Sequence, residues 1–195
     1  MLTLIHAPRS RSSRILWLLE ELGADYEVQY VDIRRADGSG ERDPANPHPA
    51  GQVPALIHDG AVISESAAVV LYLTDLFPQS ALGRPIGHPE RGAYLTWLAY
   101  YAGVVEPAVT ARYAKLGEPG TPFAKLFDEL GHRLEAQLSQ HAYLLGDTPS
   151  GADILFASIM QWAASLMPDL DVLRAHAARM ATRPALARAM AKDAA

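Results

Sequence analysis

The periodicity of the chain changes once, between Phe77 and Glu90, and that single change limits the fold to two unlike parts. Pro78, Pro85, Pro89, Gly83 and Gly87 cluster there, which is the composition of a linker. Ahead of it, Leu2 to Ile5 is a short apolar run ended by Pro8, and Ile15, Leu18, Leu19 and Leu22 then recur at helical spacing until Gly23. Tyr26 to Ile33 carries apolar residues on both parities, as a strand covered on both faces does. These elements form a βαβ unit. The stretch from Arg34 to Gly51 is polar and rich in Pro and Gly, so it is a long loop. Val53 to Ile57 and Ala61 to Ser64 flank His58, Asp59 and Gly60, a hairpin signal, and a helix follows from about Ser66 with Val69, Val70, Leu73 and Phe77 on one stripe.

Beyond the linker the strand signals vanish. Tyr94, Leu95, Trp97, Leu98, Tyr101, Val104 and Val105 keep a helical period over about three turns. Leu126 to Leu138 and Ile154 to Leu166 mark two more helices, and Leu170 to Met180 and Pro184 to Lys192 add two rich in Ala, the last opening on a proline suited to a first helical turn. Ser150 to Asp153 reads as a capping box ahead of the helix at Ile154. The expected architecture is α/β plus all-α: a domain over residues 1–77 ordered β-α-β, loop, β-β-α, a linker over 78–88, and a helical bundle over 89–195.

Composition removes several classes of function. In 195 residues, 17 basic and 22 acidic side chains leave a net charge of −5, so no global positive field favours nucleic acid. The absence of Cys removes disulfides, Cys-ligated metals and a protein-borne thiol nucleophile. None of the seven His lies at i, i+3 or i+4 from another, so no metal is expected. Phosphate-loop, dinucleotide, nucleophile-elbow and zinc-protease motifs are missing. No basic segment leads into a long apolar one, which sets the expectation of a cytoplasmic protein without a membrane partner.

Two clusters remain. In PRSRSSRILWLLEELG, Ser10 lies at the mouth of the first helix, where free N–H groups and the positive dipole end favour an anion and a hydroxyl can donate to it. Ser10, Ser12 and Ser13 are equally the residue type that caps helices, so this cluster alone leaves both readings open. In GQVPAL, a cis Val53–Pro54 bond at a strand start would turn the Val53 backbone outward to pair with an extended ligand. Glu65 and Ser66 then open another helix, placing a carboxylate beside a hydroxyl and N–H donors, a combination that suits an α-amino acid head group. Ser64 as a plain cap is the competing reading there.

Taken in order along nearly the whole chain, S-R-S-x-R-x-L-W-L-L-E-E-L-G, Val-Pro after Gly-Gln, Glu-Ser before a helix, the proline-bearing linker and the helical second half resemble the glutathione S-transferase superfamily. The resemblance implies a thioredoxin-like first domain that binds glutathione, a helical domain that supplies a hydrophobic co-substrate pocket, and a homodimer. Residue by residue, it implies Ser10 as the serine of the serine-type classes, with Gln52, Val53, Pro54, Glu65 and Ser66 binding glutathione. Classes with an active-site Cys are excluded. The partner of the glycyl carboxylate stays open among Arg34, Arg35, Arg42, His48 and Gln52. For the co-substrate pocket Tyr101, Arg112 and Tyr113 are nominated from the first long helix of the second half, against the reading that an aromatic stripe there is core.

The implied chemistry is activation of the glutathione thiolate, with Ser10 donating to the sulfur, for attack on a small hydrophobic electrophile that the sequence does not identify. Two rivals accompany it: a binding or regulatory protein that keeps the fold without turnover, and an enzyme that uses and regenerates glutathione in isomerisation or dehalogenation.

Overall fold

A computed structural model describes residues 1–117 and 120–194, which fall into two compact units. The first comprises residues 1–77 together with the chain from Arg183 onward, and the second comprises Pro78–Thr182.

In the first unit, β1 (Leu2–His6), α1 (Ser13–Leu22), β2 (Tyr26–Tyr30), β3 (Ala55–His58), β4 (Ala61–Ser64) and α2 (Ser66–Leu76) build a thioredoxin-like layer. The sheet order is β2-β1-β3-β4, with β1 parallel to β2 and antiparallel to β3, and β3 antiparallel to β4. Helix α1 buries Ile15 to Leu19, and Gly23 stops it in the left-handed conformation at φ 61°, where a Cβ would be strained. The β3–β4 hairpin turns through Asp59 and Gly60, at φ 48° and 84°, as a two-residue turn of this hand requires.

Strand β2 is shorter than the sequence pattern suggests. Val31 still donates to the His6 carbonyl at 2.9 Å, but β1 has ended by then, so no partner backbone continues the ladder. Val31 and Ile33 are nevertheless buried, packing with Ile5, Ala7, Val53 and Ala55. The loop that follows is held by its own polar groups: Asn46, 7% exposed, donates to the Gln52 carbonyl at 3.0 Å and accepts from His48 N–H at 3.0 Å.

The second unit is helical: α3 (Arg91–Tyr100), α4 (Glu106–Tyr113), α5 (Pro122–Leu138), α6 (Gly151–Trp162) and α7 (Asp171–Ala181). Helix α6 is its centre, buried without interruption from Gly151 to Ile159. Phe156 meets Trp97 and Tyr101 edge-on at 5.7 and 5.4 Å. Between α3 and α4 the chain widens into a π turn over Tyr101–Val105. Pro107 explains it: without an N–H it cannot donate to the Gly103 carbonyl, and the ladder shifts register one turn earlier. At the start of α6 the Asp153 carboxylate reaches back to accept from Ser150 N–H and Oγ, both at 2.7 Å.

The contacts divide the chain differently from the sequence boundaries in two places. Residues 78–88, read as a linker, pack into the second unit: Leu82 and Arg84 are buried, Leu82 O accepts from Gly151 N at 2.8 Å, and Arg84 pairs with Glu90 at 2.7 Å. The last helix, α8 (Pro184–Asp193), belongs to the first unit, where it lies along α1. Arg183 clasps both Glu21 carboxylate oxygens at 2.5 and 2.7 Å, while Arg188 and Lys192 reach Glu20 at 2.8 and 2.6 Å. The apolar period that marks a helix in sequence does not say which layer its buried face will meet.

Candidate functional site

Strand register decides where the sequence clusters meet. Ile5 pairs with Ala55 and Ala55 with Ser64, so the loop after β1, the Val53–Pro54 segment before β3 and the Glu65–Ser66 step after β4 emerge at one end of the sheet. Helices α1 and α2 both start at that end, presenting two sets of unsatisfied N–H groups.

The loop from Ala7 to Ser12 is built from hydroxyls. Ser10 is half-buried; its Oγ donates to the Ala7 carbonyl at 2.6 Å, lies 2.8 Å from Ser12 Oγ and accepts from Ser12 N–H at 3.2 Å. Ser12 is fully buried. Its Oγ accepts from Ala7 N–H at 3.2 Å and lies 2.7 Å from His6 Nδ1. Ser13 Oγ accepts from Ser10 N–H at 3.2 Å and donates to Asp193 at 2.5 Å. At the Ncap of α1 the Ser12 side chain makes no capping bond, so these hydroxyls are spent on the loop rather than on the helix. Arg9 takes a left-handed φ of 53°, and its N–H donates to both Asp193 oxygens at 3.2 Å.

The Val53–Pro54 peptide is cis, and Val53 and Pro54 are buried while Gln52 is exposed. Among the described residues no backbone partner engages the Val53 N–H or C=O. Glu65 is the Ncap of α2 at φ 69°, with its carbonyl accepting from Val69 N–H at 2.9 Å; Ser64, the competing cap, is instead the last residue of β4. Glu65 is exposed and Ser66 half-buried.

Of the residues left open for a glycyl carboxylate, Arg35 is turned to the loop: its guanidinium donates to Pro8 O at 2.9 Å and Arg9 O at 3.4 Å. Arg42 donates to Pro49 O at 3.1 Å, and His48 Nδ1 accepts from Ala50 N–H at 3.1 Å. Arg34 and Gln52 are exposed.

The three residues nominated for a co-substrate pocket are not brought together. Tyr101 is 1% exposed, its phenol donating to Glu106 at 2.7 Å inside the helical core. Tyr113 is 61% exposed. Arg112 lies over the Phe127 ring at 4.1 Å and lines a cavity of about 470 Å³ with Lys115, Ala124, Asp128 and Leu166.

Sequence reasoning passed over His6, Asp193 and the tie from Arg35. His6 is fully buried, and burial, outweighing the attraction of Asp193, lowers its pKa to about 4. Asp193 did carry a signal: a carboxylate in the last turn of a helix opposes the dipole, so its presence there asks for another partner. Among the described residues no group of three or more His, Asp or Glu is placed to hold a metal ion, and no helix is long and apolar enough to cross a membrane.

The family models for the glutathione S-transferase N-terminal domain and C-terminal domain match residues 9–76 and 125–187. Glutathione S-transferase GstA of Escherichia coli O157:H7 is 29% identical over 186 residues, covering 90% of each chain. Glutathione S-transferase F10 of Arabidopsis thaliana is 31% identical over 171 residues, 79% of this chain and 77% of that one. A sphingomonad glutathione S-transferase solved in complex with glutathione superposes with a TM-score of 0.77 at 28% identity, covering 98% of both chains. A thioredoxin-like sheet followed by a helical unit, with both family models matched in order, places the chain in the glutathione S-transferase family.

Proposed function

We propose that the protein is a serine-type glutathione transferase that activates the thiol of glutathione through Ser10 and passes it to a small hydrophobic electrophile. The observation that carries this reading is the convergence, at one end of one sheet, of Ser10, the open Val53 backbone and the Glu65–Ser66 helix start. Glutathione is a short extended peptide with an α-amino acid head, and each of its parts meets a matching group. The Val53 N–H and C=O pair with its central backbone, while Glu65 takes the ammonium. Ser66 and the α2 N-terminus take the head carboxylate.

Its sulfur then falls to Ser10. A free thiol titrates near ~8.5, so only a few per cent is thiolate at neutral pH. Ser10 turns its proton from the Ala7 carbonyl to the sulfur, and that donation with the α1 N-terminus stabilises the anion. The thiolate forms a C–S bond at the electrophile as the leaving group or π-electron pair departs. The protein works as a homodimer in the cytoplasm.

The test is Ser10→Ala, read on a generic aromatic electrophile and by titrating the thiolate absorbance of bound glutathione. The expected result is a raised sulfur pKa and turnover lower by up to ~10²-fold, the upper range for loss of one preorganised anion donor, with glutathione affinity little changed. An unchanged sulfur pKa would reduce Ser10 to a structural residue of the loop.

A further inference from the structure

We propose that Arg35 is a positioning residue for Ser10, acting through the Pro8–Arg9 peptide that leads into it; the proposal rests on Ser10 as the sulfur donor. Ala7 to Ser10 makes a turn with Pro8 at its second position and Arg9 at its third, left-handed at φ 53°. Pro suits the second position of both common turn types, but a positive φ at the third belongs to type II and favours Gly, not Arg. Rotating the Pro8–Arg9 peptide would give Arg9 the ordinary negative φ of type I. The residues of the turn therefore favour the other form, and contacts from outside it hold this one.

The two ends of that peptide are held by opposite charges. Pro8 O accepts from Arg35 Nη2 at 2.9 Å, and Arg9 N–H donates to both oxygens of the buried Asp193 at 3.2 Å. A peptide dipole is negative at its oxygen and positive at its N–H, so a guanidinium on the first and a carboxylate on the second favour the same orientation. Turned over, the peptide would set N–H toward the guanidinium and C=O toward the carboxylate. Arg35 Nη1 also reaches Arg9 O at 3.4 Å, so the fork spans two successive carbonyls. Ser10 comes next, and its Oγ donates back to Ala7 O at 2.6 Å. Its direction at the mouth of α1 thus depends on the peptide before it.

The polar loop after β2 carries Arg35 to this place. Ile33 is buried in one cluster with Ala7, and the Asp32 carboxylate accepts Ile33 N–H and Glu41 N–H, both at 2.8 Å. Arg35 N–H donates to Ser39 O at 2.8 Å, and Arg35 O accepts from Gly38 N–H at 3.0 Å. A Cβ on Gly40, at φ 70°, would run into the Ile33 carbonyl, so the loop closes this tightly only with Gly there.

The test measures the sulfur pKa of bound glutathione, kcat and KM. Arg35→Ala should raise the pKa by about half to one unit and lower kcat roughly three- to tenfold, because an L residue is left at positive φ with only Asp193 holding the peptide. KM for glutathione should change little. Arg35→Lys, whose ammonium can still donate to Pro8 O, should recover most of the loss. Arg9 is exposed and bonded through its backbone, and Gly accepts positive φ freely, so adding Arg35→Ala to Arg9→Gly should cost no more than about twofold. On the Ser10→Ala background Arg35→Ala should add nothing, since its effect runs through Ser10. An undiminished effect on either background would mean that Arg35 acts by its charge on the sulfur, and a rise in KM alone that it touches glutathione; each overturns the proposal. So does a wild-type sulfur pKa in Arg35→Ala where Ser10→Ala raises it. No rise with Ser10→Ala removes the sulfur-donor reading and the proposal together.

Discussion

Each unit contains one buried aspartate beside one buried histidine, and the two pairs end differently. In the helical unit, Asp153 accepts Ser150 N–H and Oγ on one oxygen and Leu144 N–H at 2.9 Å on the other, which also meets His176 Nε2 at 2.8 Å. There the chain of contacts stops: His176 Nδ1 has no partner among the described residues. In the first unit, Asp193 lies 3.3 Å from His6 Nε2, which makes no hydrogen bond among the described residues, while His6 Nδ1 continues to Ser12, and Ser12 to the half-buried Ser10. A closed pair of this kind holds a helix start in place. The open one ends instead on Ser10 Oγ, the group proposed to meet the sulfur.

The largest expected effect breaks the closed pair. Both oxygens of Asp153 are filled by donors, so Asp153→Asn forces an NH₂ group against N–H groups in a fully buried place. A loss of about 3–5 kcal/mol in denaturant unfolding is expected, the range for removing one partner of a buried pair. Asp193→Asn can keep its oxygen at Oδ1, where Ser13 and His6 meet it, and turn the amide toward the less used side, so it should cost about 1–2 kcal/mol. Equal costs would make the two pairs the same structural device.

The open pair also predicts a pH dependence. His6 titrates near 6.5 when unfolded and is held near 4 by burial in the native protein. Between those values the unfolded chain binds a proton that the native chain refuses. Stability from this group is therefore complete above pH 6.5 and falls on acidification to pH 4, by about 3 kcal/mol in all. His6→Gln should flatten the wild-type curve in that window. A variant that loses stability in parallel with the wild type from pH 6.5 to 4 would assign the dependence to other groups.

What could be read from the sequence follows the range of the interactions involved. Strand and helix periods gave away β1, α1, the hairpin and α2 because each depends on neighbours in the chain, and Gly23 and Asp59–Gly60 mark turns by their backbone freedom. The Ser10, Val53–Pro54 and Glu65–Ser66 clusters were visible as motifs, yet their convergence is a property of the β1–β3–β4 register. The end of β2 was hidden because the apolar pattern runs on to Ile33 after its partner strand has stopped. The π turn was signalled by Pro107 alone. The place of α8, and with it Asp193, depends on partners from the opposite end of the chain, Glu20, Glu21, Tyr30 and the Arg9–Ser13 loop, and no local pattern encodes that pairing.

The smallest effect separates the carboxylate of Asp193 from the helix that carries it. Glu20 receives Lys192 Nζ, Tyr26 Oη and Arg188 Nε at 2.6, 2.6 and 2.8 Å. Burial by itself would raise its pKa, but these three donors outweigh burial and bring it down to about 2. Because the folded pKa is the lower one, this contribution is present above about 4.5 and is lost as the pH falls toward 2, below the window of His6. Arg188 and Lys192 remain 55% and 45% exposed, so solvent and salt screen the pairs, and Glu20→Gln should cost only about 1 kcal/mol, less at high ionic strength. The Arg183–Glu21 clasp, the Tyr30 bond to Lys192 O and Asp193 itself still hold α8 in that variant. Bound glutathione should therefore keep its wild-type sulfur pKa in Glu20→Gln. A rise in that variant would mean that the loop around Ser10 responds to how firmly α8 is docked, through the ties of Asp193 to Arg9 and Ser13.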